Sequence, residues 1–186
     1  MSTLIEIDKY VTNPYGYLSR LYTQTNTSTP VTNTIVESTL LDGGLGSLSV
    51  PANEFKVGDS FHAVMTGQIS SGNNQPLNIR IKTNSVILSD TGTLQMATTT
   101  DKDFKLEVFF TVRAIGASGV AAIVTGGTFM YTKNAATSFE GTTFSNAVST
   151  GFDTTILNTL DITAQWGNAS ASNIIYSEIF TLNKTY

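Results

Sequence analysis

Cysteine is absent from this 186-residue chain, which removes disulfide staples, thiolate nucleophiles and the usual cysteine-based zinc sites together. Small secreted domains commonly lean on disulfides, so their lack points to synthesis in a reducing cytosol, with stability drawn from core burial, oligomerisation or both. Histidine is almost missing too: His62 stands alone, so a histidine-based triad would have a single base to draw on. Charge is scarce, at 13% of residues, with 10 Lys and Arg against 14 Asp and Glu, a net charge of −4 and no basic run. A nucleic-acid groove or an anionic membrane surface needs clustered cations, so neither is expected as a partner. No apolar stretch approaches the roughly 20 residues that a membrane helix requires. The segment Met1 to Asp8 has neither a basic start nor a continuous apolar run, so no secretory signal is predicted. Nor is any stretch rich in Ala, Leu, Glu and Lys together, as long helices usually are.

What remains is a strand-forming palette. Hydrophobic residues reach 40%, and Thr, Ser, Asn and Gly fill the balance; β-branched Thr suits a pleated surface, while Asn and Gly supply tight turns. Four segments alternate apolar and polar residues as half-buried strands do: Ser60 to Ser70, Leu77 to Lys82, Phe104 to Arg113 (with Phe109 the one apolar intruder) and Leu160 to Trp166. Weaker strands are expected over Val31 to Leu41, Leu48 to Val50, Val86 to Ser89, Val120 to Val124, Thr128 to Tyr131 and Ile174 to Leu182. Turn formers separate them, including Asp42-Gly43-Gly44, Ser71-Gly72-Asn73-Asn74 and Gly126-Gly127. Eight to ten short strands without a helix between them predict an all-β fold, a two-sheet antiparallel β-sandwich of the jelly-roll kind, with an immunoglobulin-like sandwich as runner-up.

The division predicted is an N-terminal arm or lead-in over residues 1–28 and a jelly-roll domain over 29–186. The arm carries Tyr10, Tyr15, Tyr17, Leu18, Leu21 and Tyr22, and the spacing of the last three allows one turn of helix. It either packs against its own domain or reaches a neighbouring subunit. Residues 132–153 read as a long polar loop stapled to the sandwich by Phe139, Phe144 and Phe152.

Chemistry finds few footholds. His62 falls on the polar face of a strand, Gly116-Ala117-Ser118-Gly119 is one residue short of a nucleophile elbow, and there is no phosphate-binding glycine loop. Asp42, Asp101 and Asp103 lack the spaced carboxylate pattern of a calcium loop; isolated aspartates in turns usually bond their own backbone. A glycosidase would need two carboxylates about 5–9 Å apart, and Glu54, Asp59, Glu107 and Asp161 offer no pair that the sequence selects. Trp166 could stack on a sugar, but its alternation with Leu160 and Ile162 puts it on the core face. The Asn-x-Ser/Thr patterns at Asn26, Asn168 and Asn183 are of a number expected by chance in so Asn- and Thr-rich a chain. No catalytic, cofactor-binding or metal-binding residue is assigned, and no cofactor is expected.

The run Ser47-Leu48-Ser49-Val50-Pro51-Ala52-Asn53-Glu54-Phe55-Lys56-Val57-Gly58-Asp59-Ser60-Phe61 resembles a SLTVPAN-x-F-x-VGDSF pattern of jelly-roll structural proteins of tailed phages and large DNA viruses. Leu77 to Gly92, Leu106 to Gly119 and Phe152 to Gly167 look like its continuation, so the resemblance spans roughly Val31 to Phe180 and leaves the first 30 residues unmatched. It implies a virion protein, made in the host cytoplasm, with a fold similar to trimeric C1q- or TNF-like heads, and it carries no active-site residue. The expected function is therefore a non-enzymatic virion structural or attachment protein (minor capsid, spike or fibre head) that forms a homotrimer and meets other virion proteins or a host glycan or receptor. Phe109, Tyr131 and Tyr176 are the expected interface aromatics. The alternative is a carbohydrate-binding module using surface aromatics.

Overall fold

The computed structural model describes residues 19–134 and 138–186, so most of the expected N-terminal arm, residues 1–18, lies outside the described residues. Among the described residues fourteen strands run in chain order as β1 (Ser19–Gln24), β2 (Val31–Thr32), β3 (Ser38–Thr39), β4 (Gly44–Gly46), β5 (Ser49–Val50), β6 (Ser60–Ser71) and β7 (Gln75–Thr83), followed by the second half. That half comprises β8 (Val86–Asp90), β9 (Leu94–Met96), β10 (Thr99–Ala114), β11 (Ala122–Thr132), β12 (Phe139–Val148), β13 (Asn158–Trp166) and β14 (Ile174–Lys184). The described residues contain no helix.

Two antiparallel sheets pack face to face. The larger has the order β12-β11-β10-β6-β14-β1-β4 with β2 also on β14, and the smaller β3-β13-β7-β8 with β5 on β13 and β9 on β7. Numbering the eight principal strands β1, β3, β6, β7, β8, β10, β13 and β14 from one to eight, the larger sheet contains 1-8-3-6 and the smaller is 2-7-4-5. This interleaving is the jelly roll, with the β11–β12 hairpin added to the β10 edge.

The period-two alternation sets which side chains meet between the sheets. From the larger sheet come Ala63, Met65 and Ile69 of β6, Phe104 to Val112 at even positions of β10, and Ile175, Phe180 and Leu182 of β14; the smaller contributes Leu77, Ile79, Ile81, Ile162, Ala164 and Trp166. Each aliphatic side chain so enclosed stabilises by about 1.5–3 kcal/mol relative to exposure. Trp166 is wholly buried, as its parity predicts, and its indole N–H donates to the Val31 carbonyl at 3.1 Å. Tight turns use left-handed asparagines, such as Asn74 (φ 55°) between β6 and β7 and Asn84 (φ 52°) between β7 and β8.

Three local expectations are corrected. The helical turn over Leu18, Leu21 and Tyr22 does not form: Leu18 lies outside the described residues, and Leu21 and Tyr22 belong to β1. Pairing with β14 wins because it turns the Tyr22 ring inward against Phe180, with ring centres 6.1 Å apart. The Gly126-Gly127 turn is absent as well, since Val120–Val124 and Thr128–Tyr131 fuse into the single strand β11. There Gly127 pairs with Phe144, and a Cβ at Gly127 would come within 2.7 Å of the Phe144 ring and also strike the Glu107 carbonyl. Glycine thus serves close packing between strands rather than a reversal. Finally, much of the 132–153 loop is the strand β12, paired with β11 from Phe139 to Val148. Its Phe144 packs on the core and Phe152 is buried, whereas Phe139 is exposed.

Candidate functional site

The residues considered from sequence are scattered over the fold. Asp42 accepts from the Gly43 N–H, and Asp101, at φ 47°, accepts from the Ser70 hydroxyl across an irregularity in the β6–β10 pairing. Among the described residues no three His, Asp or Glu side chains converge as a metal ion requires. Of the four carboxylates weighed as acid–base groups, Asp161 accepts from Thr39 on the smaller sheet and Glu107 stands on the outer face of the larger. Glu54 and Asp59 line one cavity, but both Asp59 oxygens are engaged, one by the Lys184 ammonium at 2.6 Å and the other by the Lys56 N–H at 2.9 Å. Burial of Trp166 removes it as a sugar platform. Asn26 and Asn168 are exposed, while Asn183 lies within β14.

The outer face of the larger sheet brings several side chains together. His62 and Phe109 are directly opposed on β6 and β10, and their rings stack at 4.6 Å between centres with only 7° between planes. Two residues before Phe109 on the same face, Glu107 accepts from the His62 ring at 2.8 Å through one oxygen and from Lys105 at 2.8 Å through the other. Hydrogen bonds from Lys105 and then from His62 hold the Glu107 carboxyl below the ordinary glutamate range. This is a cross-strand strap, in which neighbouring rungs of an antiparallel pair satisfy one another. Among the described residues the His62 ring bonds no Ser or Thr hydroxyl, so no activated nucleophile accompanies it.

Around this strap stand four exposed apolar side chains. Phe109 is 52% exposed, and Met130, Ile179 and Phe139 are exposed with it. The register sets Ile179, Thr66, Lys105 and Met130 side by side across four strands. A shallow groove of about 430 Å³ runs beside them, lined in part by Gln68, Lys105, Met130, Phe139 and Glu178.

Only part of the expected aromatic interface lies here. Phe109 is on this face, and Tyr176 is half-buried on it with its hydroxyl donating to Gln68 at 2.6 Å. Tyr131 is a correction: only 2% exposed, it points into the core, and its hydroxyl accepts from the Ala97 N–H at 2.9 Å. Burial pushes its phenol above the usual range. The parity was available in the sequence, because Ile123, Thr125, Gly127, Phe129 and Tyr131 keep one face if the strand runs unbroken through the two glycines. The members missed from sequence are Met130 and Ile179, whose outward positions follow only once that continuity and the irregularity at Ser177–Ile179 are known.

The architecture is that of a jelly-roll sandwich extended by one hairpin, with an outer face that combines a charge strap and exposed apolar side chains, and no convergent catalytic group among the described residues. Neither a protein-family model, nor a curated protein, nor a solved structure matches the chain.

Proposed function

We propose that this chain is a non-enzymatic structural or attachment component of a virus particle, of the minor capsid, spike or fibre-head kind, and that it works as a homotrimer. The observation that carries the reading is the outer face of the larger sheet, where Phe109, Met130, Ile179 and Phe139 stand exposed beside a rigid, mutually satisfied charge strap. Apolar side chains grouped on one face mark a surface that another protein covers, and cyclic symmetry lets identical copies cover each other's. The resemblance of Ser47 to Phe61 to jelly-roll virion proteins supplies the viral setting. Fold alone does not decide function, so assembly has to be measured.

Sedimentation or light scattering at low protein concentration is expected to give three times the 19.9 kDa chain mass. A clean monomer would sink the proposal. Phe109→Glu is expected to dissociate the trimer while leaving the melting profile of the isolated domain intact, because its ring is outside the core. The viral setting is tested by immunolabelling of purified particles, where an absence of label counts against it. The carbohydrate-binding reading has lost Trp166 to the core and would rest on Phe109 or Phe139, and a blank glycan array would remove it.

A further inference from the structure

At the end of the sandwich where β6 begins and β14 finishes, a cleft of about 640 Å³ opens to solvent between the two sheets. Its apolar wall includes Leu48, Val50, Phe55, Phe61, Leu160 and Leu182. Small-molecule sites typically span about 300–1,000 Å³ and are walled mainly by apolar side chains. The void is therefore of ligand size and ligand character.

The polar groups in the wall decide what kind of ligand fits. Asn158 accepts from Thr83 at 3.0 Å and donates to the Asp153 and Ile156 carbonyls at 2.7 and 3.0 Å. Ser49 is bonded to Thr159 at 2.7 Å, and Asp59 is held by Lys184 and the Lys56 N–H. The buried side-chain atoms left without partners, on Asn78, Thr125 and Asn173, belong to residues outside this wall. A peptide strand entering here would bring an N–H and a C=O at every residue against a mainly apolar inner wall, and each such group left unpaired costs about 1–3 kcal/mol. A hydrocarbon chain brings none. Two charged side chains of the wall, Glu54 and Lys56, are exposed and make no ion pair among the described residues; an anionic head would be drawn to Lys56 and turned away from Glu54.

We infer that this cavity is a binding site for a single-chain fatty acid, with its hydrocarbon held between the sheets and its carboxylate at the mouth beside Lys56. The site is independent of the outer face and of any assembly through it.

The test is calorimetric titration of the full chain with dodecanoate below its micellar concentration. Expected are one molecule bound per chain, a negative heat-capacity change from apolar burial, and a raised melting temperature. Val50→Trp, which fills the void, is expected to weaken binding at least tenfold; Leu160→Trp serves as a second blocking variant should the first fail to fold. Lys56→Gln is expected to weaken dodecanoate severalfold and leave the neutral-headed dodecyl maltoside unchanged. No binding by the full chain, or binding that survives a folded blocking variant, overturns the inference. So does binding that emerges only after residues 1–18 are removed, since the chain's own segment would then be the occupant. Equal loss of both amphiphiles in Lys56→Gln overturns the assignment of the head.

Discussion

At one end of the sandwich Trp166, Leu77, Ile69 and Ile175 are all buried, and the Val31 carbonyl of β2 is tied to the indole. At the other, Phe55, Phe61, Leu160 and Leu182 surround open space. Both ends derive from the same alternation of apolar and polar residues, so the difference lies in side-chain volume and in what caps each end. The filled end has the largest side chain of the protein on its axis. The hollow end is bordered instead by the Pro51–Asp59 segment, whose course is set by left-handed Asn53 (φ 65°) and Gly58 (φ 95°) and by Phe55 packed edge-on to Phe61 and Phe152. The two ends thus differ in how fully the space between the sheets is filled.

The sharpest way to break this contrast is to empty the filled end. Trp166→Ala is expected to destabilise by about 3–5 kcal/mol, read as a fall in the urea midpoint, because the vacated volume cannot collapse between two sheets. A cost under about 1 kcal/mol would mean that the end is less closely packed than its burial indicates. Adding volume should then have opposite signs at the two ends. Ala164→Val, next to the indole and wholly enclosed, is expected to cost about 1–3 kcal/mol by overpacking. Val50→Leu at the hollow end is expected to gain about 0.5–1 kcal/mol by filling empty space. Thermal melts of the pair decide it, and two changes of the same sign would erase the distinction.

The smallest expected effect is electrostatic and belongs to the outer side of the strands that carry the filled end. Glu37 accepts there from Arg80 and Lys82, both at 2.9 Å, and from Thr163 at 2.6 Å. Partial burial raises its carboxyl, but the Thr163 and Lys82 hydrogen bonds and the nearby Arg80 charge outweigh that and leave it below the ordinary 4.5. A carboxyl lowered on folding stabilises above its unfolded value and loses that contribution as pH falls through the folded one. Acid melts are thus expected to show the wild type losing stability below about pH 4.5, and Glu37→Gln losing less over the same window. A parallel pair of curves would refute the coupling.

Much of the fold was legible in the chain. Strands such as Ser60–Ser71 and Gln75–Thr83 bury one face and wet the other, and a two-residue period records that directly. The strand β12 was harder, since Gly141-Thr142-Thr143 and Ser145-Asn146 look like a loop until an added hairpin pairs them at a sheet edge. Tyr131 was misplaced because two glycines in mid-strand have the composition of a turn. On the outer face, Phe109 announced itself by breaking the alternation, but its stacking on His62 depends on register, a property of two strands rather than one. The cavity was invisible for a related reason: Leu48, Val50 and Leu160 have the signature of any core residue, and nothing in a linear pattern measures the space left between them.

The final strand, β14, lies between β1 and β6, and thus joins the first principal strand to the third. The larger sheet therefore stays split until β14 has paired with both neighbours. Folding must therefore await a distant pairing, which places the chain among slow, topologically demanding folders that expose unpaired strand margins while they wait. Loss of Ile174–Lys184 would remove the central seam of that sheet, not trim its border.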